Sequence, residues 1–262
     1  MTGGERMEAE PRGIVLRRFD ELRLAIMFLT RLPVGRIDKL PRFADSMWAF
    51  PVAGALHGGI VGAIFAGAAW AGWGAPIPAL LAIVAGLLAS GAFHEDGLAD
   101  CADGFGGGTT RERKLEIMRD SRLGTYGTAA LMLALALKVA LLGSLGDPLR
   151  VVSASVALGA LTRGLLPAAL LLLPAAREDG ATAETAGTLS YSVAALSAGL
   201  GTASLLFLLP MADWRALAAV VLGMGAMLLI AWRHIGGLTG DVLGASQVVG
   251  EIAGLLALAA HV

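Results

Sequence analysis

Apolar residues run almost unbroken through seven stretches of this chain, at about 47–73, 77–94, 125–146, 150–174, 191–210, 214–233 and 242–261, and polar residues collect in the intervals between them. Each stretch is close to the roughly 20 residues that a helix needs to cross a bilayer core of about 30 Å. In that medium a helix satisfies its own backbone polar groups. The pattern predicts an all-α fold, a polytopic integral membrane helix bundle of about seven transmembrane helices. Residues 19–32, FDELRLAIMFLTRL, behave differently. Leu22, Ile26 and Leu29 share one helical face and Arg23 and Arg31 lie elsewhere, which predicts an N-terminal amphipathic helix lying in the interface and ended by Pro33. Residues 1–18 read as an N-terminal extension without a signal-peptide pattern, and 19–262 as one membrane-embedded domain.

Composition agrees: 56% hydrophobic residues, 16% charged ones and 36 glycines are too apolar for a soluble globular domain of 262 residues. A net charge of -1, with no basic stretch interleaved with aromatics, argues against a nucleic-acid partner. The single cysteine, Cys101, excludes an intrachain disulfide and reads as a small packed residue. Charge also sets orientation. With a cytoplasmic N-terminus, sixteen basic residues fall in cytoplasmic segments and only Arg150 and Arg215 in outside loops, as the positive-inside rule requires. The expectation is a protein of the cytoplasmic (inner) membrane, with its N-terminus and polar loops cytoplasmic, its C-terminus outside, and membrane lipids as its surroundings. A homo-oligomer is compatible with these features.

The chemistry concentrates in 94–124, the one long polar connection. Within HEDGLADCADGFGGG, Asp96, Asp100 and Asp103 share a face if the segment is helical. At about 5 Å and an effective dielectric of about 20, each pair of such charges repels by roughly 3 kcal/mol. The triad must therefore protonate, splay or bind a cation, and all-oxygen ligands favour Mg²⁺, Mn²⁺ or Ca²⁺ over zinc. Thr109 and Glu112 suggest a capping box opening a short helix. Beyond it, RDSRLGTYG supplies Arg119, Asp120, Ser121 and Arg122, a set suited to phosphate oxygens or, alternatively, to anionic lipid headgroups. Lys138, Arg163 and Glu251 lie within spans, where a charge is a functional candidate by default; a buried Lys138–Glu251 pair is the structural alternative. His57 reads as a packed helix contact. Asp241, in GGLTGDVLG, is placed either as a further oxygen ligand or substrate contact, or as the cap of the last helix.

The motifs FLTRLP (28–33), FPVAG (50–54), FHEDGLADCADG (93–104), RDSRLGTYG (119–127) and GGLTGDVLGA (236–245) together resemble the cobalamin synthase family, also called adenosylcobinamide-GDP ribazoletransferase, over nearly the whole chain. The resemblance implies a Mg²⁺-dependent transferase (Mn²⁺ being the alternative ion) of vitamin B12 nucleotide loop assembly. It would join adenosylcobinamide-GDP to α-ribazole or its 5′-phosphate with release of GMP. It further implies Asp96, Asp100 and Asp103 as metal ligands, Asp103 and His94 as candidate bases with Asp120 orienting phosphate, and Arg119, Ser121, Arg122, Arg163, Lys138 and Asp241 around the substrate. Two other readings stand beside it. A CDP-alcohol-type phospholipid transferase should carry a longer spacing with arginine after the DG pair and a second aspartate pair, which this chain lacks. A membrane ion or solute transporter should gather its charges at mid-membrane, whereas here they crowd one connection.

Overall fold

A computed structural model describes residues 13–177, 181–210 and 213–260, and every regular element among them is helical. In chain order these are α1 (Ile14–Leu29), α2 (Phe43–Ser46) leading through a 3-10 turn into α3 (Phe50–Trp70), α4 (Ile77–Ser90), α5 (Phe93–Gly107) and α6 (Arg111–Ile117). They are followed by α7 (Thr125–Leu145), α8 (Pro148–Leu172), α9 (Ala181–Thr188), α10 (Tyr191–Leu208), α11 (Trp214–Ile235) and α12 (Gly240–Ala259). Six of them are long and apolar enough to span: α2–α3 taken together, α7, α8, α10, α11 and α12. The protein is an integral membrane helix bundle.

The seventh span is broken. Only α4 and α5 together pass as one, and they meet at 90°. At 1.5 Å per residue the 14 residues of α4 cover about 21 Å, short of the hydrocarbon core. The chain turns at Gly91 (φ 66°) and Ala92 (φ 57°), both left-handed; only the first is free of the Cβ penalty. Two groups hold the break. Ser90 Oγ accepts the N–H of Ala92 at 3.2 Å, and the N–H of Arg31 bonds the carbonyl of Ala89 at 2.6 Å, so the chain just after α1 satisfies the end of α4. Most of the polar connection at 94–124 is helical, as α5 and α6, and the buried Gly97, Ala99 and Gly104 let a helix bearing carboxylates pack tightly. The cap of α6 moves by one residue. Thr110, not Thr109, accepts from the N–H of Arg113.

Packing centres on α8, with 72% of its apolar window buried against 22% for α7 and α10. Its closest partner is α3, where Gly54, Gly58 and Gly62 recur every fourth residue. A Cβ at Gly54 or Gly58 would fall on the carbonyl of Gly159 or Ser155, so the two backbones approach as only small residues allow. His57, on the same helix, is the packed contact expected: Nε2 lies 3.1 Å from the Gly86 carbonyl of α4.

The interfacial helix α1 begins at Ile14, inside the expected extension, and is bolted to the bundle through a buried carboxylate. Glu21 accepts from Trp48 Nε1 at 2.8 Å and pairs with Arg17 and Arg18. Longer-range bonds gather the polar segments at one end of the bundle. Arg111 donates to the carbonyls of Ile235 and Ala176, Arg42 donates to that of Thr188, and Ala175 and Leu238 form a short parallel bridge.

Candidate active site

The small residues of α5 decide what surrounds its carboxylates. A Cβ at Gly97 would come within 2.6 Å of the Asp241 carbonyl oxygen, so α12 presses its first turn onto the middle of α5. Asp96 is exposed, Asp100 is half-buried and Asp103 is buried. The charges bearing on Asp100 are those of Asp96, Asp241 and Asp103, opposed by Arg177. Asp241 therefore belongs to the acidic group. The cap of α12 is Thr239, whose Oγ1 accepts from the N–H of Val242 and lies 3.1 Å from Asp241 Oδ2. Among the described residues, no three His, Cys, Asp or Glu side chains already stand in metal-ligating geometry.

Asp103 joins the two halves of the site. Its Oδ2 accepts the N–H of Gly124 at 2.7 Å and its Oδ1 that of Gly127 at 2.8 Å, which docks the first turn of α7 and the RDSRLGTYG segment onto α5. A Cβ at either glycine would land on that carboxylate. The acidic helix and the arginine segment are thus one surface.

Within the segment, Arg122 grips Asp120 through Nε and Nη2 at 2.5–3.1 Å, and these bonds hold the Asp120 carboxyl down at about 2. Asp120 is thereby committed to its neighbour. Arg119, Ser121 and Arg122 are all exposed at this end of the bundle.

The intramembrane cations occupy a separate layer. Lys138 Nζ lies 3.2 Å from both Glu95 and Glu251, and Gln247 bridges Glu251 to Thr162 at 2.9 and 3.1 Å. The structure thus places Lys138 in the ion pair that the sequence offered as its structural alternative, and gives it a second partner in Glu95. This layer braces α5 to α7, α8 and α12 immediately beside Asp96. Arg163 is 1% exposed on α8, its Nη1 3.5 Å from the Gly159 carbonyl. His94 is also 1% exposed, and neither ring nitrogen has a hydrogen-bond partner.

Sequence reasoning missed two residues here. Arg31 shares a polar hollow with Asp96, Thr30 and Ser90, and the one signal for it was its place in FLTRLP. Arg177 bears on Asp100 and Asp241 from the segment after α8, with no local signal at all.

Fold and site define an integral membrane protein with a carboxylate cluster and several guanidinium groups gathered at one end of its bundle, a combination suited to holding phosphate oxygens. The sequence matches the family profile described as cobalamin-5-phosphate synthase over residues 21–259, and the chain belongs to that family. It is 46% identical over 238 residues to a protein of Mesorhizobium japonicum (90% of this chain, 92% of the relative). It is 42% identical over 245 residues to one of Bradyrhizobium diazoefficiens (92% and 93%) and 43% over 244 to one of Azorhizobium caulinodans (88% and 92%). All three relatives are named adenosylcobinamide-GDP ribazoletransferase. No solved structure matches the chain significantly.

Proposed function

We propose that this chain is an adenosylcobinamide-GDP ribazoletransferase acting in the closing steps of cobalamin biosynthesis. A ribose hydroxyl of α-ribazole, or of its 5′-phosphate, attacks the phosphorus nearer cobinamide. The new P–O bond forms as the bond to GMP breaks; GMP departs with the electron pair and the hydroxyl proton passes to a base. The observation that carries the reading is the pair of hydrogen bonds from Gly124 and Gly127 to Asp103, because they put the carboxylates and the arginine segment on one surface. The family and the names of its relatives point the same way.

Carboxylate oxygens are the donors that a hard divalent cation takes, and the acidic side chains of this site would have to draw together to hold one. Asp96, Asp100 and Asp241 would be the oxygen ligands, their mutual repulsion relieved by a cation, and Mg²⁺, or Mn²⁺ in its place, would neutralise charge on the diphosphate. Asp103 is the weakest of the expected ligands and bases, since each of its oxygens already accepts a backbone N–H. We assign it to positioning. Arg31, Arg119, Arg122 and Arg177, with Ser121, would hold the phosphates. Lys138 and Arg163 act at one remove, by fixing α5 and α8. The sixteen-to-two distribution of basic residues supports a cytoplasmic site in the inner membrane.

The test is purified protein in detergent with adenosylcobinamide-GDP, α-ribazole 5′-phosphate and Mg²⁺, followed by GMP release. No GMP from folded protein would overturn the reading. Asp96→Asn should abolish metal-dependent turnover while the protein still inserts.

A further inference from the structure

A second feature of the bundle end lies outside the acidic surface. Between α1, α2, α5 and α9 there is a cavity of about 590 Å³ lined by four phenylalanines: Phe28, Phe43, Phe50 and Phe93. Their rings form one cluster, with Phe28 at 4.6 Å from Phe43, 5.3 Å from Phe93 and 6.1 Å from Phe50, the last pair stacked within 15°. Aromatic walls of this kind receive flat rings in stacked or edge-on contact. His94 lines the same cavity, packs edge-on against Phe93 at 5.4 Å, and among the described lining residues is the one whose buried polar atoms lack any partner. Buried polar groups in native proteins are almost always paired, so an orphan imidazole in this cavity marks a place where a ligand can supply the missing partner.

The cavity adjoins the acidic surface. Phe28 and Phe93 line both it and the hollow that holds Asp96 and Arg31. Gly240 and Gly244 line it as well, on either side of Asp241 along α12. A group seated against the phenylalanines would therefore place whatever it carries at the edge of the carboxylate cluster.

We infer that this cavity binds the azole base of the attacking ribazole nucleoside, with its ring stacked among Phe28, Phe43, Phe50 and Phe93 and its unglycosylated ring nitrogen accepting a hydrogen bond from His94. The inference rests on the proposed transferase reaction. Size and polarity select this occupant over the other candidates. Pockets of about 300–1,000 Å³ suit ligands of nucleoside size, and a corrin macrocycle with its amide arms is larger than this one holds. Guanine presents several donors and acceptors along one edge, whereas beside the phenylalanines the one polar side chain is His94; the other polar lining residues, Arg42, Thr182, Glu184, Thr185 and Thr188, belong to the approach to α2 and to α9. A lipid acyl chain would fill the space and leave both His94 nitrogens unsatisfied. An azole is flat and apolar and carries one acceptor nitrogen.

Steady-state kinetics and calorimetry on the full-length protein in detergent test this with two variants. His94→Phe keeps ring and burial but removes the donor; Leu166→Trp, in the cavity wall, fills the space without touching a hydrogen bond. Both should raise the KM for α-ribazole at least tenfold and leave that for adenosylcobinamide-GDP within twofold. Calorimetric binding of α-ribazole to the wild type should weaken by the same factor in each variant. Free benzimidazole, a bare aromatic azole, should compete with α-ribazole and not with adenosylcobinamide-GDP. An unchanged α-ribazole KM in folded variants, a selective rise for adenosylcobinamide-GDP instead, or relief of the effect on delipidation would each overturn the assignment. Absence of GMP release by the wild type would instead remove the transferase reading, whereas wild-type turnover with indifferent variants would remove only the pocket.

Discussion

Replacing Asp103 by alanine separates an anchoring role from a chemical one. The carboxylate holds two backbone N–H groups, at 2.7 and 2.8 Å, that belong to residues 21 and 24 positions further along the chain. Hydrogen bonds to a charged acceptor contribute about 1.5–3 kcal/mol each. A negative charge at the start of a helix, here α7, adds about 0.3–1 kcal/mol. The substitution therefore removes about 3–7 kcal/mol from the docked state of residues 119–127, and the freed donors regain partners only when water reaches them. At about 1.4 kcal/mol per factor of ten, even the lower figure raises the undocked population more than 100-fold. Limited trypsin digestion reads this directly, because Arg119 and Arg122 lie in the released segment. Cleavage there should accelerate about 100-fold while thermal unfolding of the spans moves little. Asp103→Asn, which keeps one acceptor and turns an NH₂ towards the other donor, should fall between. Unaltered digestion together with lost turnover would refute the anchor and return Asp103 to the chemistry.

Other substitutions probe the rest of the frame. Lys138→Met removes the cation that Glu95 and Glu251 share, leaving Glu251 only its bond from Gln247, and should cost about 3–5 kcal/mol in detergent unfolding. The triple variant with Glu95→Gln and Glu251→Gln should recover most of that loss. Gly58→Ala drives a methyl group into the Ser155 carbonyl and should destabilise the α3–α8 pair by about 1–3 kcal/mol, seen as a lower melting temperature; Gly67→Ala, with open space around it, should be neutral. The Asp120 carboxyl, held at about 2 against an ordinary 3.8, should keep its pairing with Arg122 above the ordinary value and lose it only as pH falls through about 2, which carboxyl NMR of the labelled residue measures. Chelation with EDTA should stop GMP release and Mg²⁺ should restore it; turnover that persists in EDTA would remove the metal from the proposal.

What the residues alone determined about this protein is what water and lipid dictate locally. Apolar runs near 20 residues gave the spans, because hydrocarbon tolerates little else, and the amphipathic face of 19–32 gave the helix on the interface. The carboxylates of α5 and the arginines after α6 were legible as chemistry because like charges spaced so closely have no cheaper explanation. The tertiary structure decided which of these groups meet. Nothing in the spacing of Asp103 says that it faces the N–H groups of Gly124 and Gly127; that depends on how α5 lies across the start of α7. Asp241 enters the acidic group because Gly97 lacks a Cβ and lets α12 approach, a contact between residues 144 positions apart. The break at Gly91–Ala92 was hidden for the converse reason. Apolar periodicity carries straight through it, and its cause is a left-handed turn held by Ser90 and the backbone of Arg31. Lys138, alone in its span, reads as a charge in search of a function until folding supplies Glu95 and Glu251 on both sides. Hydrophobicity is additive along a chain and can be read from it; which charges pair depends on helix packing, and that is set by contacts the sequence brings together only once it has folded.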